Sequence, residues 1–231
     1  MPEKTQTIAT GSGNTTLTQG GWRRYLLPLS VAVLVIFHSV GFYGLAFSDN
    51  PEYFQQLTPM NLLLTAVLLF SFHKRWNGSF MLFALMAATV GFTAEVLGIH
   101  TGLLFGDYSY GAALGLKLWE VPLLIGLNWL ILIYSTGHIS DFTKFAWPVK
   151  AVLGSLLMVL LDLFLEPVAV EYDFWRWHSN NIPLSNFIGW FGVALLLQVL
   201  YQWLPIAKGN PMAPFVFLVQ LLFFVGLYLC L

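Results

Sequence analysis

Seven runs of apolar residues, most of them near the length that crosses a bilayer, take up most of this chain. They are Leu26–Phe47, Leu57–Phe72, Phe80–Ile99, Val121–Ile139, Val149–Pro167, Leu184–Leu204 and Ala213–Leu231. A hydrocarbon core about 30 Å thick takes about 20 residues of helix. The second run is the shortest and opens on Thr58-Pro59. Pro59, Pro122, Pro148 and Pro183 all sit near run starts, where a helix loses nothing by a missing amide donor. Hydrophobic residues make up 58% of the chain and charged residues 9%, against about 25% charged in an ordinary soluble domain. So little charge cannot cover so much apolar surface in water. This excludes a soluble globular protein, a disordered chain and a nucleic-acid binder. The lone Cys230 excludes a disulfide framework, a cysteine zinc site and an iron–sulfur cluster. The expected fold is an all-α integral membrane protein with seven transmembrane helices. Residues 25–231 form its single domain, after a flexible polar tail over 1–24.

Charge placement orients the bundle. Lys and Arg collect on the cytoplasmic side of membrane proteins. With seven spans and the N-terminus inside, Lys4, Arg23, Arg24, Lys74, Arg75, Lys144, Lys150 and Lys208 are cytoplasmic, and only Lys117 and Arg176 face out. Removing the second span scrambles this bias. The expectation is a multi-pass protein of the cell membrane, N-terminus in the cytoplasm and C-terminus outside. The first run ends in a passable cleavage site, Ala46-Phe47-Ser48, but is about twice the length of a signal-peptide core, so it reads as a retained anchor.

This topology sorts the acids to one side. Glu95 lies near the outer end of span three, Glu120 at the outer start of span four, and Asp162 and Glu166 toward the outer end of span five. Asn186 starts span six on the same side. The inner half carries no comparable set, Asp141 being a loop residue among lysines. Ionisable groups at the centre of a membrane helix cost about 2.5–3.5 kcal/mol each and default to functional readings. Asp162 and Glu166 are four residues apart and share a helix face. Carboxyls gathered in a low dielectric cannot all ionise, and a neutral acid beside an ionised one equips a site for general acid–base chemistry. The plainer alternative solvates these acids at the interface or pairs them with Arg176 and Lys117. Asp107, Glu171 and Asp173 read equally well as ordinary loop acids.

The same side is rich in aromatics, including Tyr108, Tyr110, Trp119, Trp129, Tyr172, Phe174, Trp175, Trp177 and Trp190. They suit either an interfacial belt or a pocket whose ring faces stabilise a cation, with Trp129 the strongest candidate for the latter. The glycines Gly102, Gly106, Gly111 and Gly115 suit a re-entrant segment or a flexible loop, not a phosphate loop. The five histidines form no clusters of the di-iron hydroxylase type. A zinc hydrolase using His38, His100 and His178 stays a minor alternative. Span seven carries no Lys for a retinal Schiff base.

Several motifs then occur in order: Glu95-Val-Leu-Gly98-Ile-His-Thr101-Gly102-Leu-Leu-Phe105-Gly106-Asp-Tyr108-Ser-Tyr110, Leu114-Gly115, Val121-Pro122, Asn128-Trp129, Asp162-Leu-Phe-Leu-Glu166-Pro167, Trp175-Arg-Trp177 and Ile182-Pro183-Leu-Ser-Asn186-Phe-Ile-Gly189-Trp190. Over about Phe80 to Trp190 the chain resembles the CruF-type carotenoid biosynthesis family, the carotenoid 1,2-hydratases. The resemblance implies addition of water across the terminal C1=C2 bond of an acyclic carotenoid end, of the lycopene or γ-carotene type, giving a tertiary alcohol. It calls for no cofactor or metal, and for a lipophilic carotenoid and the bilayer as partners.

On that reading Glu95 and Asp162 are acid and water-activating base, in either order. Glu120, Glu166 and Asn186 support them. Tyr108 and Trp129 line the cation, with Asn128, Trp175 and Trp190 completing the substrate wall. Two rivals remain: a non-catalytic carotenoid-binding protein, which needs no acid pair, and a proton-coupled lipophile transporter, whose acids would continue into the inner half.

Overall fold

The computed structural model describes residues 23–179 and 181–231. The polar tail expected over 1–24 lies outside the described residues, except that Arg23 and Arg24 already belong to the first helix. The helices are α1 (Arg23–Phe47), α2 (Pro51–Gln56), α3 (Thr58–Ser71), α4 (Gly78–Thr101), α5 (Leu124–Ser140), α6 (Trp147–Glu171), α7 (Leu184–Trp203) and α8 (Ala213–Tyr228). Four short strands join them: β1 (Tyr108–Tyr110), β2 (Lys117–Leu118), β3 (Val121–Pro122) and β4 (Trp175–Trp177).

The seven apolar runs are all helical at their centres. Four of these helices, α1, α4, α6 and α7, are long and apolar enough to cross a membrane; α3, α5 and α8 are shorter. At 1.5 Å per residue the 14 residues of α3 rise only about 21 Å. α5 is short for a different reason. It is buried almost all round, packing on α3, α4, α6, α7 and α8. A helix that is apolar on every side belongs in a protein interior. α6 corrects an expectation: it runs through Pro167, where span five was expected to end, and stops at Glu171. Pro167 lacks the amide that would bond the Leu163 carbonyl. Neighbouring packing carries the helix across that one missing bond.

The two long linkers, 102–123 and 172–183, meet at one end of the bundle. β1 and β4 pair antiparallel there, and β2 and β3 form a hairpin. The glycine-rich stretch is thus a loop with local β structure. Gly102 (φ 65°) caps α4 in the left-handed region, its N–H bonding the Gly98 carbonyl at 2.8 Å.

The opposite end holds a polar network that charge sorting alone did not reveal. Asn210 Nδ2 donates to the Leu69 carbonyl (2.8 Å) and to Tyr134 Oη (3.2 Å), which also meets His73 Nδ1 at 2.7 Å. Tyr201 Oη donates to Asp141, which pairs with Lys150 at 3.1 Å and Lys208 at 3.6 Å. These bonds tie α3, α5, α6, α7 and the 204–212 connection together.

Candidate active site

Alternation along the paired strands builds one wall of the site. In register, Tyr108 faces Trp177, Ser109 faces Arg176 and Tyr110 faces Trp175. Successive strand residues point to opposite faces. Ser109 and Arg176 are therefore exposed, while Tyr108, Tyr110, Trp175 and Trp177 turn inward.

Each inward pair holds one carboxyl. Glu95 of α4 accepts from Tyr108 Oη at 2.5 Å, Tyr110 Oη at 2.9 Å and, on its other oxygen, Trp129 Nε1 at 3.0 Å. Glu166 of α6 accepts from Trp175 Nε1 at 3.0 Å and Trp177 Nε1 at 2.9 Å. Asn186 Nδ2 of α7 bridges Glu166 and Asp162, donating to each at 2.9 Å. Among the described residues Asp162 has no other hydrogen-bond partner, and its Oδ1 is buried and unbonded. All three acids are at most 3% exposed. Burial, and the Glu95 carboxylate beside them, push the Tyr108 and Tyr110 phenols well above the ordinary tyrosine range. Both therefore stay protonated and available as donors.

These groups open onto an apolar cavity of about 440 Å³. Helices α1, α3 and α8 also line it (Phe37, Leu62 and Phe224 among others). Trp129 stacks on Trp190 with ring centroids 4.5 Å apart. α4 makes room for that stack with Gly91, where an added Cβ would overlap the Trp129 side chain.

Of the residues singled out from the sequence, Glu95, Tyr108, Asn128, Trp129, Glu166, Trp175, Asn186 and Trp190 line this one cavity. Asp162 does not reach it and sits behind Asn186. Glu120 is a correction. Span four was expected to begin at Val121, with Glu120 at its mouth, but α5 begins at Leu124. Trp119 and Glu120 instead form the tip of the β2–β3 hairpin at φ 49° and 66°, and the Glu120 side chain is 73% exposed, with His100 as its neighbour. Arg176 pairs with Asp173, and Lys117 with the Tyr110 carbonyl, so neither cation touches the acids. His38, His100 and His178 do not converge, and no group of three or more such ligands is arranged to hold a metal among the described residues. Sequence reasoning passed over Tyr110 and Trp177 as site residues. Their Tyr-x-Tyr and Trp-x-Trp spacing, the signature of one strand face, was the available signal.

Fold and site together define a helical membrane protein with an apolar chamber whose one wall presents buried carboxyls. The chain belongs to the carotenoid biosynthesis protein family, whose profile matches residues 57–230. It is 28% identical to the bisanhydrobacterioruberin hydratase of Haloarcula japonica over 131 residues, 49% of this chain and 43% of that protein. The chain thus matches less than half the length of this curated relative. No solved structure is significantly similar.

Proposed function

We propose that the protein is a carotenoid hydratase that adds water across the terminal C1=C2 bond of an acyclic carotenoid end, giving a tertiary 1-hydroxy carotenoid. The observation that carries this reading is the presentation of two carboxyls, Glu95 and Glu166, to one apolar cavity walled by indole and phenol rings. Protonating an isolated alkene needs an acid in a dry site, a shielded cation and a water with a proton acceptor beside it.

The hydrogen-bond inventory suggests the roles. Indole and amide N–H groups only donate. Among the described residues Glu166 accepts from three of them and meets no other hydrogen-bonding group, which suits an anion. Glu95 Oε2 meets two hydroxyls, which accept as well as donate, so a proton on Glu95 has a place to go and a route by which to return. In the proposed step the Glu95 O–H bond breaks and the alkene π pair takes the proton at C2. The tertiary cation at C1 lies against the Trp129–Trp190 stack and the Glu166 charge. A water then forms the C1–O bond and gives its extra proton to Glu166, and return of a proton from Glu166 to Glu95 resets the pair for the next turnover. The net change is one added water, with no oxidation or reduction. Asp162 acts at one remove, fixing the Asn186 amide that orients Glu166.

In this reading all seven apolar helices lie in the cell membrane, with the N-terminus cytoplasmic, the C-terminus outside and the acids near the outer surface. The polyene reaches the cavity laterally from lipid. A cavity of this size takes a drug-sized ligand, hence one end of a carotenoid. The test is expression in bacteria that accumulate lycopene or γ-carotene. Pigments gaining the mass of one water, with label entering from water and not from dioxygen, support the proposal. Unchanged pigments beside membrane-inserted protein reject it and favour a carrier.

A further inference from the structure

In the proposed reading the cavity takes one end of a carotenoid, so the rest of that rod must leave through its wall. The exposure of the lining residues marks the place. Among the described residues, four that line the cavity are exposed: Phe37 and Val40 of α1, Leu57 between α2 and α3, and Met60 of α3. Every other lining residue is buried or half-buried. The four belong to one seam, where α1 packs on α2 and α3. A second groove adjoins that seam. It shares Val40 and Phe54 with the cavity and continues along α1 over Ile36 and Tyr43. The Phe54 ring lies against α1 at Gly44, where an added Cβ would overlap it. Of the four long apolar helices, α1 buries the smallest share of its span.

We propose that this seam is the portal for a long apolar polyene. One end of the rod sits in the cavity, and its stem crosses between Val40 and Met60 and lies in the groove beside Phe54. A conjugated hydrocarbon stem needs no polar partner, and the seam offers it apolar side chains. Lipid tails are as apolar as those side chains, so the groove holds the stem by close contact rather than by excluding water. The portal rests on the polyene reading of the cavity but not on catalysis.

The test is protection of introduced thiols. Cys230 is the chain's one cysteine, so Cys230→Ser gives a thiol-free background. Full-length protein carrying Val40→Cys, Met60→Cys or, as a control, Leu156→Cys is purified in detergent and labelled with a lipid-soluble maleimide, with and without lycopene. Leu156 of α6 is 49% exposed and does not line the cavity. With lycopene at about ten times its Kd, labelling of the Val40→Cys and Met60→Cys variants should slow about tenfold, and labelling of Leu156→Cys should not change. Hydration of the bound pigment leaves its stem, and hence the readout, as it was. All three positions are exposed, and Phe37→Cys and Leu57→Cys repeat the test if a seam variant fails to fold. Lycopene held by the protein while either seam variant labels at its free rate overturns the portal and leaves the hydratase proposal standing. Equal slowing in Leu156→Cys also overturns it, as general shielding by pigment. Protein that retains no lycopene overturns the portal together with the polyene reading.

Discussion

Tyr108 and Trp177 lie opposite one another on the paired strands, ring centroids 5.0 Å apart, yet each serves a different carboxyl. Tyr108 donates to Glu95 and Trp177 to Glu166. One strand pair thus sets the spacing between acids on two separate helices. A one-residue slip of either strand would turn that strand's two inward donors to the outside.

The roles proposed for the two cavity acids are separable. Glu95→Gln and Glu166→Gln should each lower hydrated product by about 10²–10⁴-fold, the usual return of a positioned acid or base. Glu120→Gln, at the exposed hairpin tip, should leave it unchanged. Pigment analysis against membrane protein level reads this, and full activity in both cavity variants would dispose of the scheme.

Asn186 holds Glu166 and Asp162 through one amide. Asn186→Leu should cut turnover and lower the thermal midpoint in detergent, because it strips a donor from each of two buried carboxyls. A hydrogen bond to a charged group contributes about 1.5–3 kcal/mol. A variant as stable and active as wild type would show that the bridge does nothing.

Trp129→Phe keeps a ring to stack on Trp190 but removes the N–H that Glu95 accepts. Turnover should fall about tenfold or more with the protein still folded. Gly91→Ala should have a similar effect by displacing the Trp129 ring. Kinetics with purified enzyme would show whether kcat moves, as expected, more than KM.

The buried phenols predict an alkaline limit. Tyr108 and Tyr110 bind their protons more tightly folded than unfolded. Below the unfolded value, about 10, both states are protonated and stability is constant in this respect. Above it the unfolded chain loses protons that the folded one keeps, so stability falls as pH rises. Unfolding midpoints measured from pH 8 to 11.5 should show that decline, and a Tyr108→Phe, Tyr110→Phe double variant should show less of it.

The network at the opposite end gives a control. Tyr134→Phe leaves His73 and Asn210 short of a partner and should cost about 1–3 kcal/mol of stability. Specific activity per folded molecule should not change.

The chain's own order determined a great deal. The apolar runs mark the helices because burial in lipid or core is a local property of each segment. The same locality makes Glu95, Asp162 and Glu166 conspicuous, since a carboxyl in such a run has no neighbour in sequence to answer its cost. What tertiary structure decided is which polar groups share a space. Glu120 reads into one site with Glu95 as a supporting group, until a hairpin turns it outward. Asp162 and Glu166 share a helix face, yet only Glu166 reaches the cavity. The aromatic donors come from linkers far apart in the chain, joined by strand pairing, and the cavity they face is closed by residues of three further helices. Such convergence depends on packing between distant segments, which no local pattern of residues encodes.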